Sequence, residues 1–433
     1  MRRSLLVGLT LLLGLMRASG QAASDAILDP VNSMTVDDLV RLAMQHNGEF
    51  LATQQQIAVS HGGVTQARLR PNPSFQVNGA HEVAGSQNNI MLGGTLPLEL
   101  YHRRDRRIEV ATVGLTMAEF DQAEQERQLR SEIEMKFGDV LASLRNLQFT
   151  EELLTLNRKA LDLVTARVEQ GATAPLDANL LRVEVNRIDS QRVEFEAKLG
   201  VDVLELKSLV GMKSQEIFHI KGTLEPEAVT ITQEEALKHA LETRPDLLAA
   251  RAGEQVASAR LKQAQTEARP DASVSASYQR MNSSFAQNGL TASGQVQPIQ
   301  GVFHFLSMGV SITLPVRNRN EGAIETAVAE VEQAKQRREY AELIATREIA
   351  AAFLVQAKAR ESLQIYSDGV RGQAAQNLEV IRKVNELGRT PLQDVIAGQR
   401  RFVEIETGYT DVLNRNYQAS VRLRTATGLM FGR

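Results

Sequence analysis

The 433-residue chain has no cysteine and no tryptophan, and aromatic residues make up only 4% of it. Without cysteine there is no disulfide framework, no thiolate metal site and no lipid-modified cysteine at a processed N-terminus. Proline is scarce, 11 in all, and none falls between Arg103 and Gln170, where the only glycines are Gly114 and Gly138. Nothing in that stretch stops a helix. The formal net charge is −3, so no excess of one sign points to nucleic acid or to a polybasic membrane patch. After residue 20 no run approaches the ~18 apolar residues of a membrane-spanning helix. The seven histidines (46, 61, 81, 102, 219, 239 and 304) show no metal-ligand spacing. Gly62-Gly63 and Gly93-Gly94 lack the lysine of a phosphate loop, and no Gly-x-Ser-x-Gly occurs. The expectation is a protein that is not an enzyme, with no catalytic, cofactor-binding or metal-binding residues.

The first 20 residues read as a signal peptide. Arg2 and Arg3 precede an apolar run from Leu5 to Met16, and Ala18-Ser19-Gly20 offers small residues for cleavage before Gln21. The apolar run is short for a membrane anchor. An exported chain is expected.

The remainder is written twice. Shifted by 197 residues, Thr35, Ala43, Leu51, Val59, Pro73 and Val77 fall on Thr232, Ala240, Leu248, Val256, Pro270 and Val274, and Asp37-Asp38 falls on Glu234-Glu235. The shift becomes 218 at Leu96-Pro97 and Leu314-Pro315, then 217 where Gly171 meets Gly388 and Gly211 meets Gly428. The jump is expected to be one longer loop between Met281 and Gly301. A frame held at both ends of each half indicates tandem duplication. The expected organisation is a signal peptide 1–20, an N-terminal extension 21–34, a first repeat 35–215, a linker 216–231 and a second repeat 232–433.

Each repeat is mostly helix. Ile133, Val140, Leu147, Leu154, Leu161 and Val168 recur every seven residues, which keeps one stripe on a supercoil seam. Gly171 and Pro175 end this helix and open another, Leu176 to Leu209. The second repeat runs from Ala323 to Leu387, breaks at Gly388-Arg389-Thr390-Pro391, and continues from Leu392 to Thr427. Shorter helices, Val36 to about Leu69 and Gln233 to about Ala268, open each half. A soluble coiled-coil protein would explain these stretches equally well.

The segments between the helices carry a different period. Leu306, Met308, Val310, Ile312 and Leu314 alternate with Ser307, Gly309, Ser311 and Thr313; Val274, Ala276 and Tyr278 alternate with Ser273, Ser275, Ser277 and Gln279. Phe75 and Val77, then Ile90, Leu92, Leu96 and Leu98, repeat the pattern in the first copy. Strands are expected at about 73–83, 89–99, 271–281 and 303–315. Each has the length of a tilted membrane strand, and prolines 71, 73, 97, 270 and 315 sit at the handovers to helix. Four strands cannot close a membrane barrel, and an open edge in lipid leaves backbone groups unpaired. The chain is therefore expected to pool its strands with copies of itself.

A duplicated helix–strand–strand–helix unit behind a signal peptide, with glycine-centred hairpins, resembles the TolC-like outer-membrane efflux channels from about Thr35 to Gly428. Its most specific pieces are Gly171-Ala-Thr-Ala-Pro-Leu-Asp177 and Gly388-Arg-Thr-Pro-Leu-Gln-Asp394. The resemblance implies a mainly α protomer with membrane β. It implies a homotrimer sharing one twelve-stranded barrel, continued by a long helical periplasmic tunnel. It also implies an exit duct for substrates delivered by an inner-membrane pump of the RND type and a periplasmic adaptor, with outer-membrane lipid around the barrel and no nucleic acid. By position, Asp177 and Asp394 match the aspartates at the narrow periplasmic end, where three copies of each would form acidic rings. The bland reading is that an aspartate in a first helical turn favours the helix dipole. Ala397 stands where some members carry a further acidic residue, and the arginine of the second hairpin is displaced to Arg389. An Arg389–Asp177 contact across the hairpins is one expectation for the gate. Gly171, Leu176, Gly388 and Leu392 mark the tips where an adaptor would dock.

Ile90 to Arg107 and Gly309 to Asn320 are most similar to the branch serving cobalt–zinc–cadmium efflux pumps, which implies heavy-metal cations as cargo. Drug efflux and type I secretion are the alternatives within the channel class. A soluble periplasmic coiled-coil scaffold or adaptor is the alternative outside it.

Overall fold

The computed structural model describes residues 33–83, 87–217, 219–225 and 231–429. The expected signal peptide lies outside them, as do residues 21–32 and parts of the expected linker. The described chain forms helices α1 (Val36–His46) and α2 (Gly48–Arg68), strands β1 (Ser74–His81) and β2 (Asn88–Pro97), then α3 (Arg103–Glu169) and α4 (Pro175–Val210). The second half repeats the order. It runs α5 (Gln233–Thr243), α6 (Pro245–Glu267), β3 (Asp271–Leu290), β4 (Val296–Thr313), α7 (Glu321–Ile365), α8 (Arg371–Glu386) and α9 (Leu392–Thr427). The chain divides into two compact units. One, whose described residues fall within 33–55, Asp121–Leu247 and 342–429, is mainly helical; the other, Gln56–Phe120 with Leu248–Ala341, carries the strands.

The matched Thr and acidic residues of the two halves are helix caps. The Thr35 hydroxyl accepts the Asp38 N–H while the Asp38 carboxylate accepts the Thr35 N–H, and Thr232 and Glu235 do the same at α5. Each box satisfies helix-end donors reciprocally. The threonine hydrogen bonds hold both carboxyls below the usual carboxylate range.

Each opening helix, expected as one piece, is two. Asn47 accepts the Phe50 N–H through its side-chain oxygen at 2.9 Å and donates to the Leu209 carbonyl at 2.9 Å, so it ends α1 and caps α2. In the second half Pro245, with no N–H and a fixed φ, starts α6 directly after Arg244. The second long helix is likewise interrupted by a π-helical turn, Tyr366–Val370, between α7 and α8.

In the helical unit the seven-residue stripe is the core. Ile133, Val140 and Leu147 are buried with Leu39 and Ala43 of α1, Leu199 and Leu206 of α4, and Leu413 and Val421 of α9, while Leu154 is buried in a second cluster with Val185, Ile188 and Val403. Leu161 and Val168 are half-buried, where Arg158 and Thr165 open the second seam position. Gly138 lets α9 approach α3: a Cβ there would lie 2.6 Å from the Tyr417 ring. Gly211 ends α4 at φ +80, and a Cβ there would collide with the His46 carbonyl.

The four strands form one antiparallel sheet in the order β1-β2-β3-β4. The expected loop between Met281 and Gly301 is a correction: β3 and β4 continue through most of it, pairing as far as Leu290 with Val296, with one irregularity between Ser284 and Asn288. Those residues alternate weakly in hydrophobicity, and the ladder bonds of the hairpin, rather than an apolar face, hold them extended.

Candidate functional site

The register of the sheet sorts its residues into two unlike faces. Phe75, Gly94, Ala276 and Met308 lie opposite one another across the four strands, followed by Val77, Leu92, Tyr278 and Leu306. Leu96, Val274 and Val310 precede them on the same face. This apolar face has no protein cover: Leu306 is 80% and Met308 82% exposed. A surface of this kind on a folded chain marks a membrane or partner contact.

The opposite face carries Gln76, Gly93, Ser277 and Ser307 in one row and Ser74, Thr95, Ser275 and Gly309 in the next. A Cβ on Gly309 would lie 2.9 Å from Ser275 Oγ, and one on Gly93 3.3 Å from Ser277 Cβ. The residues of this face are small and polar, and at those glycines there is little room for a side chain. Strands β1 and β4 each have one neighbour. Their outer edges present unpaired N–H and C=O groups, at several kcal/mol for each one left in hydrocarbon.

The helical unit holds both hairpins. Gly171 (φ +70) and Gly388 (φ +69) adopt the left-handed conformation. The Ala172 N–H bonds to the Arg167 carbonyl and Gly171 N–H to Val168; Arg389 and Gly388 repeat this on Val384 and Asn385. These are paired Schellman stops. The next helices open at Pro175 and just after Pro391. Asp177 and Asp394 therefore sit in first turns, with their N–H groups on the Ala174 and Pro391 carbonyls. Asp177 is half-buried, while Asp394 is exposed and accepts from Thr390 Oγ1 at 2.6 Å. Among the described residues no ion pair joins Arg389 to Asp177 within the chain, and Arg389 is exposed. Leu176 (63% exposed) and Leu387 (70%) project at the two tips, while Leu392 is half-buried. Sequence reasoning passed over Leu387, which its place before Gly388 could have marked.

It also missed the buried charges. Glu184 on α4 is fully buried, with Arg187 at 2.8 Å and Arg400 of α9 at 2.7 Å. Burial pushes this carboxyl up, but the two guanidinium groups outweigh it and hold it below the ordinary value. Arg244, its side chain 2% exposed, donates to both oxygens of Asp246, to Glu348 at 2.9 Å and to the Ala426 carbonyl at 3.0 Å. Glu134 pairs with Arg130 and Arg424 beside a cavity of about 430 Å³ that Asp37 and Tyr417 also line. Nothing in the local pattern distinguishes these residues from charges on a solvated helix face.

The sequence matches the family of outer membrane efflux proteins over residues 39–212 and 236–429, one match to each half. The chain belongs to the outer membrane efflux protein family. As a member it is an outer-membrane channel component of an efflux system, extending into the periplasm, and the soluble scaffold alternative is set aside. Among similar proteins is the cobalt-zinc-cadmium resistance protein CzcC of Cupriavidus metallidurans, 23% identical over 395 residues, or 91% of this chain and 90% of the relative. Among solved structures, CusC superposes with a TM-score of 0.73 at 15% identity, covering 90% of this chain and 91% of that one. The Campylobacter jejuni CmeC outer membrane channel superposes with a TM-score of 0.74 at 14% identity, covering 91% and 85%. Both share the fold of this efflux protein.

Proposed function

We propose that this chain works as the passive exit duct of a tripartite exporter, as a homotrimer whose twelve pooled strands close one barrel around the polar face of the sheet. The observation that carries this reading is a sheet open at both edges with an uncovered apolar face. Copies of the same chain satisfy the edges, lipid satisfies the face, and helical hairpins continue the conduit on the periplasmic side. The 35–215 and 232–433 repeats each supply two strands and one hairpin. The partners are a periplasmic adaptor seated at the tips around Gly171, Leu176, Gly388 and Leu392, and an inner-membrane pump of the RND type. Rings of Asp177 and Asp394 would favour cations at the entrance, with Arg389 reaching Asp177 of a neighbouring protomer.

Heavy-metal cations are the favoured cargo, supported by the likeness to a cobalt-zinc-cadmium resistance protein along nearly the whole chain. A strain lacking the gene should lose tolerance to cobalt, zinc or cadmium and regain it on complementation. Sensitivity to a drug panel alone would overturn the cargo and leave the duct. A purified chain that stays monomeric in lipid would overturn the duct. Unchanged single-channel conductance after replacing Asp177 and Arg389 together by alanine would remove the gate.

A further inference from the structure

The apolar face of the sheet ends abruptly toward its hairpin turns. Beyond the row of Val77, Leu92, Tyr278 and Leu306 comes one of Gly79, Ile90, Arg280 and His304, then one of His81, Asn88, Asn282 and Val302. The helices join the opposite end of the strands, so in an outer-membrane channel this boundary faces the outer leaflet. Arg280 is the only Lys, Arg, Asp or Glu between Asp271 and Arg317. It stands directly across from His304 on the lipid-facing side, where cross-strand side chains are neighbours.

The groups around Arg280 are polar and uncharged. Tyr278 Oη lies 2.6 Å from His304 Nδ1, with the rings stacked at 5.9 Å, which fixes the imidazole and leaves Nε2 open. Arg280 Nη1 reaches Asn88 Oδ1 at 3.4 Å. Among the described residues no carboxylate pairs with Arg280. Glu82, the acid of the neighbouring hairpin, accepts from the Gln87 N–H at 3.4 Å instead. A guanidinium without a carboxylate partner at the rim of an apolar band suits an anion at head-group height, where its stem can lie along hydrocarbon while its head meets charge.

We propose that Arg280, His304 and Tyr278 form a binding site for the phosphate of an outer-leaflet lipid head group, one site per protomer. The planar guanidinium matches two phosphate oxygens, and the Tyr278-oriented imidazole supplies a further contact. The site rests on the membrane reading of the sheet.

The test uses the full-length protein in nanodiscs and native mass spectrometry, with purified lipid A and its dephosphorylated form as probes. Lipid A should be retained over the dephosphorylated form, and R280Q should weaken its retention roughly fivefold to tenfold, with R280K between. H304A should weaken it less, and Q76A, on the polar face, should leave it unchanged. Equal retention of lipid A by R280Q and the unaltered chain would overturn the site. Full displacement by millimolar inorganic phosphate, regardless of acyl chains, would also overturn it by revealing a soluble-anion site. Insertion into the nanodisc is scored separately: an unaltered chain that fails to insert counts against the membrane reading, whereas inserted protein without lipid A selectivity counts against the site alone.

Discussion

Replacing Glu184 by glutamine removes a buried charge that joins the two helical hairpins of a protomer while keeping the side-chain shape. The carboxylate receives hydrogen bonds from Arg187 on its own helix and from Arg400 on α9. Hydrogen bonds to a charged group are worth roughly 1.5–3 kcal/mol each, but desolvating the carboxylate costs several kcal/mol, which the amide largely avoids. The arginines are 37% and 47% exposed, so they return to water. That keeps the loss below the roughly 3–5 kcal/mol of a stranded buried charge. The net expectation is about 1–3 kcal/mol, or a roughly 5- to 150-fold rise in local opening. Hydrogen exchange on the solubilised protein should show that acceleration in α4 and α9 around Glu184 and Arg400, with the capped start of α1 unchanged.

The effect carries a pH signature. Arg187 and Arg400 outweigh burial and hold the folded carboxyl below its ordinary value. Its contribution is therefore present above that value and lost as pH falls through the lower folded one. The ratio of exchange rates between variant and unaltered protein should shrink toward unity in that acid range. Equal protection at pH 7, or a ratio indifferent to pH, would refute the account.

Gly138→Ala sets about 1 kcal/mol of helix propensity against overpacking on Tyr417 and Asn414, which costs roughly 1–3 kcal/mol. A lower thermal midpoint by circular dichroism is expected, relieved by a smaller residue at Tyr417. Gly171→Ala and Gly388→Ala meet open space but positive φ, so each should loosen its own tip by about 1–2 kcal/mol, read as faster exchange confined to that hairpin. Arg244→Met leaves Asp246 and Glu348 without their cation. Both carboxylates are partly exposed, so the expected loss is about 2–4 kcal/mol in unfolding free energy, with the Asp246 carboxyl, which burial raises and Arg244 lowers, rising from its depressed position.

Much of the architecture was legible because it is local. A seven-residue apolar repeat without proline can only be a long packed helix, and Ile133 through Leu154 are buried as that repeat requires. Glycine at 171 and 388 followed by proline stops and restarts the chain, and alternation at 306–314 separates an apolar face from a polar one. The breaks at Asn47 and Tyr366–Val370 were not legible. The first depends on a side chain caught between a helix start and a carbonyl from another helix; the second has no counterpart in the local pattern of the sequence.

By itself the sequence determined the element types, the duplication, the hairpin stops and the faces of the strands, since neighbours along the chain set each of these. Only the tertiary structure decided that β2 pairs with β3 across more than 170 residues of chain. It alone extended the second hairpin through an expected loop, and it alone buried Glu184 and Arg244 rather than leaving them in water. Those outcomes follow from which surfaces meet, and a glutamate on a helix reads the same whether its neighbour is solvent or an arginine from another hairpin.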